Sequence, residues 1–316
     1  MKKVVIVLLL ATSVARAGDS IVTFDVRSEA GAPIENVGIE LYSRARYTST
    51  FPYGKVKDVV HSTATDEQGR AKISFPCYDG SFYAFVRKEG FYPEETGSIS
   101  LYRKPDARHE SFWVDSATNV STILRRIINP VPTYQHPACR GDERIPLQKG
   151  LVAYDLEVGD WVSPYGKGKV PDFNIYYDRT QTESSVCSTG VLFFAAECAG
   201  AYKRLKFNSS SFCTDYNADT NSVYLSSFPF MTVKSSKDGM ESRMRILEKD
   251  EYLVLRTRVV LDPDNNIIKA NYSVIEGPLV FARYFDHGKM RFNPTVNDTS
   301  LEYSPDKNLV PFKERR

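Results

Sequence analysis

Residues 252–275 read YLVLRTRVVLDPDNNIIKANYSVI, and this stretch decides the fold class. Leu253, Leu255, Val259 and Leu261 line one side of an alternating run, and a second apolar run spans Ile267 to Ile275. Between them, Asp262-Pro263-Asp264-Asn265-Asn266 supplies five residues suited to a tight polar turn. Alternation in twos on both sides of such a turn predicts an antiparallel hairpin. The neighbouring segments repeat the pattern. Phe173, Ile175 and Tyr177 share one face of a run from Asp172 to Tyr177, and Asn119 to Ile127 reads as a strand stopped by Asn129-Pro130-Val131-Pro132. From Phe193 to Leu205 the signal is divided. Ala195, Ala196, Ala199 and Ala201 favour helix, but Val191, Leu192 and Phe193 favour strand, and strand is the preferred reading.

Towards the amino terminus the period of two continues from Ser20 to about Tyr102. Val22, Phe24 and Val26 face one way. Beyond the turn Gly31-Ala32-Pro33, Val37, Ile39 and Leu41 point inward while Gly38, Glu40 and Tyr42 point outward. His61 to Thr65 and Ala71 to Phe75 flank Asp66-Glu67-Gln68-Gly69-Arg70, where Asp caps a turn and Gly accepts a positive φ, which predicts a second hairpin. Phe82 to Lys88 and Ser98 to Tyr102 complete the set. The order of GAPIENVGIEL, TATDEQGRAKISF and FYAFVRKEGFYPEE resembles the carboxypeptidase regulatory-like domain. That resemblance covers about eighty residues and implies a prealbumin-type β-sandwich, an interaction or stabilising module with no catalytic residues. The stretch GLVAYDLEVGDWVSPYGKGKVPDFNIYYDR, with the closing RFNPTVNDTSLEYSPDKNLV, resembles an uncharacterised family of secreted bacterial proteins, which implies a domain type without a role.

The chain is therefore expected to be all-β, with two sandwich-like domains, the second larger and poor in helix. The expected divisions are a signal peptide at 1–17, a first domain at 18–104, a linker at 105–118 and a second domain at 119–316. The leader is read from Lys2 and Lys3, the apolar run Val4 to Ala11 and the small residues Ala15 and Ala17. Cleavage after Ala17 makes the protein secreted or periplasmic. Removing Lys2, Lys3 and Arg16 takes the formal charge from +2 to −1. So near-neutral a chain is no nucleic-acid binder. The 42% hydrophobic content excludes disorder, and no later run is long enough to cross a bilayer as a helix. Export permits disulfides, and Cys187, Cys198 and Cys213 lie close enough in sequence to suggest a local bridge, with Cys77 and Cys139 as the other thiols and connectivity open.

The chemistry-bearing stretch is Asp155 to Asp172. In it Asp155, Glu157 and Asp160 adjoin Trp161 and Tyr165, followed by Gly166-Lys167-Gly168-Lys169. Three functional readings compete with an ordinary strand end and turn. A phosphate loop requires Ser or Thr after the Lys and then a helix, whereas Val170 and Pro171 follow here. A glycoside hydrolase requires two carboxylates facing across a cleft, with Asp160 and Asp172 as the acid–base pair. A sugar-binding platform uses the rings of Trp161, Tyr165 and Tyr176, with Asp160, Lys167 and Lys169 beside them, because flat rings cover the apolar face of a sugar while charged groups meet its hydroxyls. Elsewhere, His61, His109, His136 and His287 show no zinc-peptidase spacing, and Asp262-x-Asp264-x-Asn266 lacks the Gly and Glu of a calcium loop. No cofactor and no metal are expected. The partner expected is a glycan or an envelope protein, bound without catalysis, with hydrolysis as the alternative.

Overall fold

The computed structural model describes residues 19–46, 56–76, 81–97, 99–100, 117–136, 144–207, 210–235, 241–281, 285–286 and 288–310. Among them there are strands and turns and no helix. The chain divides into two compact units, Met1–Arg126 with Ser209–Ser211, and Ile127–Asn208 with Phe212–Arg316.

The first unit is a sandwich. One sheet holds β1 (Asp19–Ser28) between β4 (Arg70–Pro76) and β8 (Ala117–Leu124). The other has the order β3 (Val56–Ala64), β2 (Gly38–Arg46), β5 (Ser81–Arg87), β6 (Glu94–Glu95), with β7 (Ile99–Ser100) also on β5. The inward residues read from the sequence, Val22, Phe24, Val26, Val37, Ile39 and Leu41, are all buried between the sheets. Two expectations change. The turn at Asp66–Arg70 does not join a paired hairpin, because β3 pairs β2 and β4 pairs β1. Alternation shows only which side chains face inward, and both strands face the same core from opposite sheets. The strand expected to open the second domain, β8, instead pairs in parallel with β1 through Ile21↔Ala117 to Ser28↔Leu124 and belongs to the first unit. Parallel pairing of distant segments leaves no turn signal to read. The segments expected as signal peptide (1–17) and linker (105–118, through 116) lie outside the described residues.

In the second unit one six-stranded sheet has the order β11 (Asp160–Trp161), β10 (Lys149–Asp155), β12 (Phe173–Gln181), β13 (Ser185–Phe193), β15 (Ser227–Ser235), β16 (Glu241–Met244). We call it the front sheet. The back sheet has the order β14 (Gly200–Leu205), β17 (Glu251–Leu261), β18 (Ile267–Glu276), β21 (Met290–Phe292), β9 (Val131–His136), β22 (Tyr303–Asn308). A small ribbon pairs β19 (Val280–Phe281) with β20 (Phe285–Asp286). The expected hairpin of residues 252–275 is β17–β18, closed by Asp262, whose carboxylate accepts the N–H groups of Asp264 and Asn266.

The two sheets bury a common core that includes Val152, Phe173, Ile175, Leu192, Phe230, Leu253, Leu255, Ile275 and Phe292. Their outer faces differ. On the back sheet β18 is buried at every position from Ala270 to Glu276. Its second face carries Tyr202, Tyr252, Val254, Tyr272 and Val274, capped by Ala218 and Leu301. The covering segment is tied down by Tyr252 Oη donating to Asp215 (2.7 Å), by the Asp219 N–H donating to Tyr202 Oη (2.7 Å) and by the Leu301 N–H donating to the Tyr216 carbonyl (2.9 Å). On the front sheet β12 alternates strictly through Tyr177 between buried and more open positions, so among the described residues that sheet has one buried face and one partly exposed face.

Candidate functional site

Arg258 organises the acidic stretch that the sequence singles out. It sits at a bulge in β17, between Thr257 and Val260, with φ 53°. A bulge re-aims the side chain it carries. Its Nε donates to Asp172 Oδ1 (2.9 Å), and Nη2 donates to Asp172 Oδ2 and Asp155 Oδ1 (3.0 Å each). Nη1 donates to Glu157 Oε2 (2.5 Å), and the guanidinium lies 4.5 Å from the Phe292 ring centre. One cation of the back sheet thus holds three carboxylates of the front-sheet hairpin and its loop.

The carboxylates are also occupied from their own side. Asp155 Oδ1 accepts the N–H groups of Glu157 and Val158, while Oδ2 accepts those of Lys169 (2.9 Å) and Val170 (3.1 Å). Asp172 Oδ2 accepts the Leu156 N–H (2.8 Å). Burial alone would raise the Asp155 carboxyl, but these N–H donors and Arg258 outweigh it and hold the group below its ordinary value. At Asp172 burial prevails over Arg258 and pushes the carboxyl up. Arg258 loses through burial and gains more from Asp172, Glu157 and Asp155, so its proton is bound more firmly than usual. Tyr134 is raised by burial and by the adjacent Glu157. Every oxygen of Asp155 and Asp172 is thus engaged by at least one donor.

The remaining candidates are distributed as follows. Asp160 accepts the N–H groups of Trp161 (2.8 Å) and Lys167 (3.0 Å). The backbone N–H groups of Lys167 and Lys169, which a phosphate loop would leave for its ligand, are thus spent on Asp160 and Asp155. Gly168 is required by close approach, since a Cβ there would lie 2.8 Å from the Asp155 Cβ. Trp161 is 5% exposed and packs edge-on to Tyr154, with ring centres 5.3 Å apart. Its indole is therefore core and offers no platform, a correction to the sugar-binding reading, with the physical cause that its face of β11 turns inward. Tyr165 and Tyr176 are exposed.

Tyr176 belongs to a larger feature. Ladder register places Leu151, Tyr176, Val191 and Pro229 in one row across four strands of the front sheet's outer face. Adjacent rows run Ala153, Asn174, Phe193, Ser227 and Lys149, Asp178, Thr189, Met231, Met244. Leu151 is 54% exposed, Met244 45% and Tyr176 43%. The charges in these rows, Lys149 and Asp178, pair with each other at 2.7 Å. A half-open face would ordinarily carry polar outward residues.

Cys187 lies on this outer face, opposite Val233. Cys198 is exposed, and its carbonyl accepts Arg256 Nε (2.9 Å). Cys213 is buried beside Glu276, with its thiol pushed up to about 11 by burial and that carboxylate. All three are free thiols, so the local bridge suggested by sequence proximity does not form. Cys77 and Cys139 lie outside the described residues. Among the described residues no group of His, Cys, Asp or Glu is arranged to hold a metal ion, and no helix is long and apolar enough to cross a membrane.

The chain matches no protein-family model, and no curated protein is similar to it. Among solved structures it is similar to 3-chlorocatechol 1,2-dioxygenase from Rhodococcus opacus 1CP, at 12% identity and a TM-score of 0.25, covering 36% of this chain and 62% of that one. It is also similar to a shaft pilin from Lactobacillus rhamnosus GG, at 11% identity and a TM-score of 0.22, covering 89% and 95%. A third is a putative membrane-associated protein of unknown function from Bacteroides fragilis NCTC 9343, at 8% and 0.22, covering 88% and 98%. Likeness at this level decides neither relationship nor role. The chain spans 62% and 61% of the length of two chlorocatechol dioxygenases that it matches.

Sequence reasoning misses Arg258 and the row around Leu151. Arg258 falls within an alternating run where an Arg reads as outward, and only the bulge turns it towards the acids. The row was within reach, since Leu151, Tyr176 and Val191 each occupy the outward parity of an alternating strand.

Proposed function

We propose that this is an exported, non-enzymatic binding protein that works through the outer face of the front sheet in the second unit, at the cell envelope. The observation that supports this is the contrast between the two candidate chemistries. Asp155, Glu157 and Asp172 are engaged by Arg258 and Asp160 accepts two backbone N–H groups, whereas the Leu151–Tyr176–Val191–Pro229 row is apolar and, among the described residues, open at Leu151, Tyr176 and Pro229. Binding energy concentrates where aromatic and aliphatic groups lose water together. Export rests on the leader at residues 1–17.

A glycan is the second reading of the same surface, favoured by the exposed ring of Tyr176 beside the Lys149–Asp178 pair. A panel of polysaccharides and of hydrolase substrates tests both. The proposal expects no turnover, and any retained polysaccharide to be released by Tyr176→Ala. Turnover abolished by Asp160→Asn in a folded protein would replace it with the hydrolase.

A further inference from the structure

Resting on that reading of the front face, we infer that its occupant is a second copy of this chain, packed face to face in a two-fold dimer. Three observations select this partner. The first is area. The strands β10, β12, β13, β15 and β16 contain seven, nine, nine, nine and four residues. At about 3.3 Å per residue and about 4.8 Å between strands, their flat footprint is roughly 600 Å². Side-chain relief raises the accessible area above that projection, towards the roughly 800 Å² per partner of a standard interface. A short peptide would leave most of this face wet.

The second is charge. A two-fold contact sets the same patch against itself, so any net charge on it is doubled at the interface. Here the charged side chains in the rows are one lysine and one aspartate, already paired at 2.7 Å. The face is neutral and self-compatible, and it offers a charged partner nothing to read.

The third is that the edges beside the face are blunted. Among the described residues, β16 reaches only Met231 to Lys234 of β15, which leaves the stretch from Ser227 to Phe230 as an edge. Pro229, which has no N–H to donate, occupies that edge. At the opposite end β11 is two residues long. Strand addition is discouraged at both ends, while the central row of the face between them is apolar. The back sheet, by contrast, has its second face covered by the chain itself.

Native thiols report on the contact. Cys187 is half-buried on the front face, and Cys198 is exposed on the segment leading into the back sheet. Purified protein in its exported form is examined by sedimentation velocity between about 1 and about 100 µM, and maleimide labelling is followed at each cysteine by peptide mass spectrometry. The expected result is a concentration-dependent dimer in which labelling of Cys187 slows about tenfold and labelling of Cys198 is unchanged. Leu151→Lys and Tyr176→Lys should each restore the monomer and full Cys187 labelling with an unaltered circular dichroism spectrum. A single monomeric boundary at every concentration overturns the dimer; the polysaccharide panel then decides the wider binding reading separately. A dimer that survives both substitutions with Cys187 fully reactive overturns the assignment of the face.

Discussion

Replacing Arg258 by Met is the most informative perturbation of the second unit. The substitution keeps an unbranched apolar stem over the Phe292 ring and removes four charge-assisted hydrogen bonds to Asp155, Glu157 and Asp172. The loss is uneven. Asp155 keeps four backbone donors, from Glu157, Val158, Lys169 and Val170. Asp172, whose side chain is 0% exposed, keeps only the Leu156 N–H. Stranding one partner of a buried ion pair costs about 3–5 kcal/mol, a large share of the about 5–15 kcal/mol that holds a typical domain together. Urea unfolding followed by Trp161 fluorescence, in a Trp113→Phe background, reports this unit directly, because Trp161 sits in its core. The deficit should also depend on pH. Burial already raises the folded-state pKa of Asp172 with Arg258 in place, and without Arg258 the rise is larger. A carboxyl shifted upward gains stability at low pH and loses it as pH rises through the interval between the two values. The deficit is therefore largest at pH 7 and shrinks towards pH 5. Adding Asp172→Asn should recover part of it, giving a coupling energy of about 2 kcal/mol. A loss below about 1 kcal/mol, or a deficit that grows on acidification, would refute the structural role given to this cluster.

Other outcomes follow from the same geometry. Gly168→Ala should destabilise the second unit by about 1–3 kcal/mol, because the added methyl meets the Asp155 side chain; thermal unfolding measures it, and an unchanged midpoint contradicts the packing described. Cys213 should resist maleimide at pH 8 until urea unfolds the protein, being buried with its thiol raised to about 11, whereas Cys198 reacts in the folded state. Glu276 is burdened by burial but held below its ordinary value by Arg291, at 2.5 Å, with help from Lys289 and Lys206. A depressed carboxyl contributes stability above its unfolded pKa and loses it as pH falls, so Glu276→Gln should flatten the decline in melting temperature between pH 6 and pH 3. Equal declines in both proteins would contradict that assignment.

Period-two alternation made the all-β architecture legible, and it correctly placed Val22, Phe24 and Val26, Val37, Ile39 and Leu41, and the β17–β18 hairpin. It cannot tell a paired hairpin from two strands that face one core from opposite sheets, so the Asp66–Arg70 turn reads as a hairpin turn although it links two sheets. Nor does any local pattern announce the parallel pairing of β8 with β1 across some ninety residues of sequence. The acidic stretch reads in sequence as a site for catalysis or sugar binding, and its partner Arg258 is invisible there because it lies 86 residues beyond Asp172 and is aimed by a bulge. Trp161 shows the same limit: an aromatic next to carboxylates and a Gly-Lys turn looks like a surface feature until the strand parity of β11 is known.

A comparison of unfolding free energies in dilute solution tests the division of labour between buried carboxylates and open face most directly. Asp172→Asn removes the charge that anchors Arg258 and is predicted to cost about 1.5–3 kcal/mol, whereas Tyr176→Lys, on the uncovered face, is predicted to stay within about 0.5 kcal/mol of the parent. The reverse ordering, with Asp172→Asn neutral and Tyr176→Lys strongly destabilising, would contradict the account.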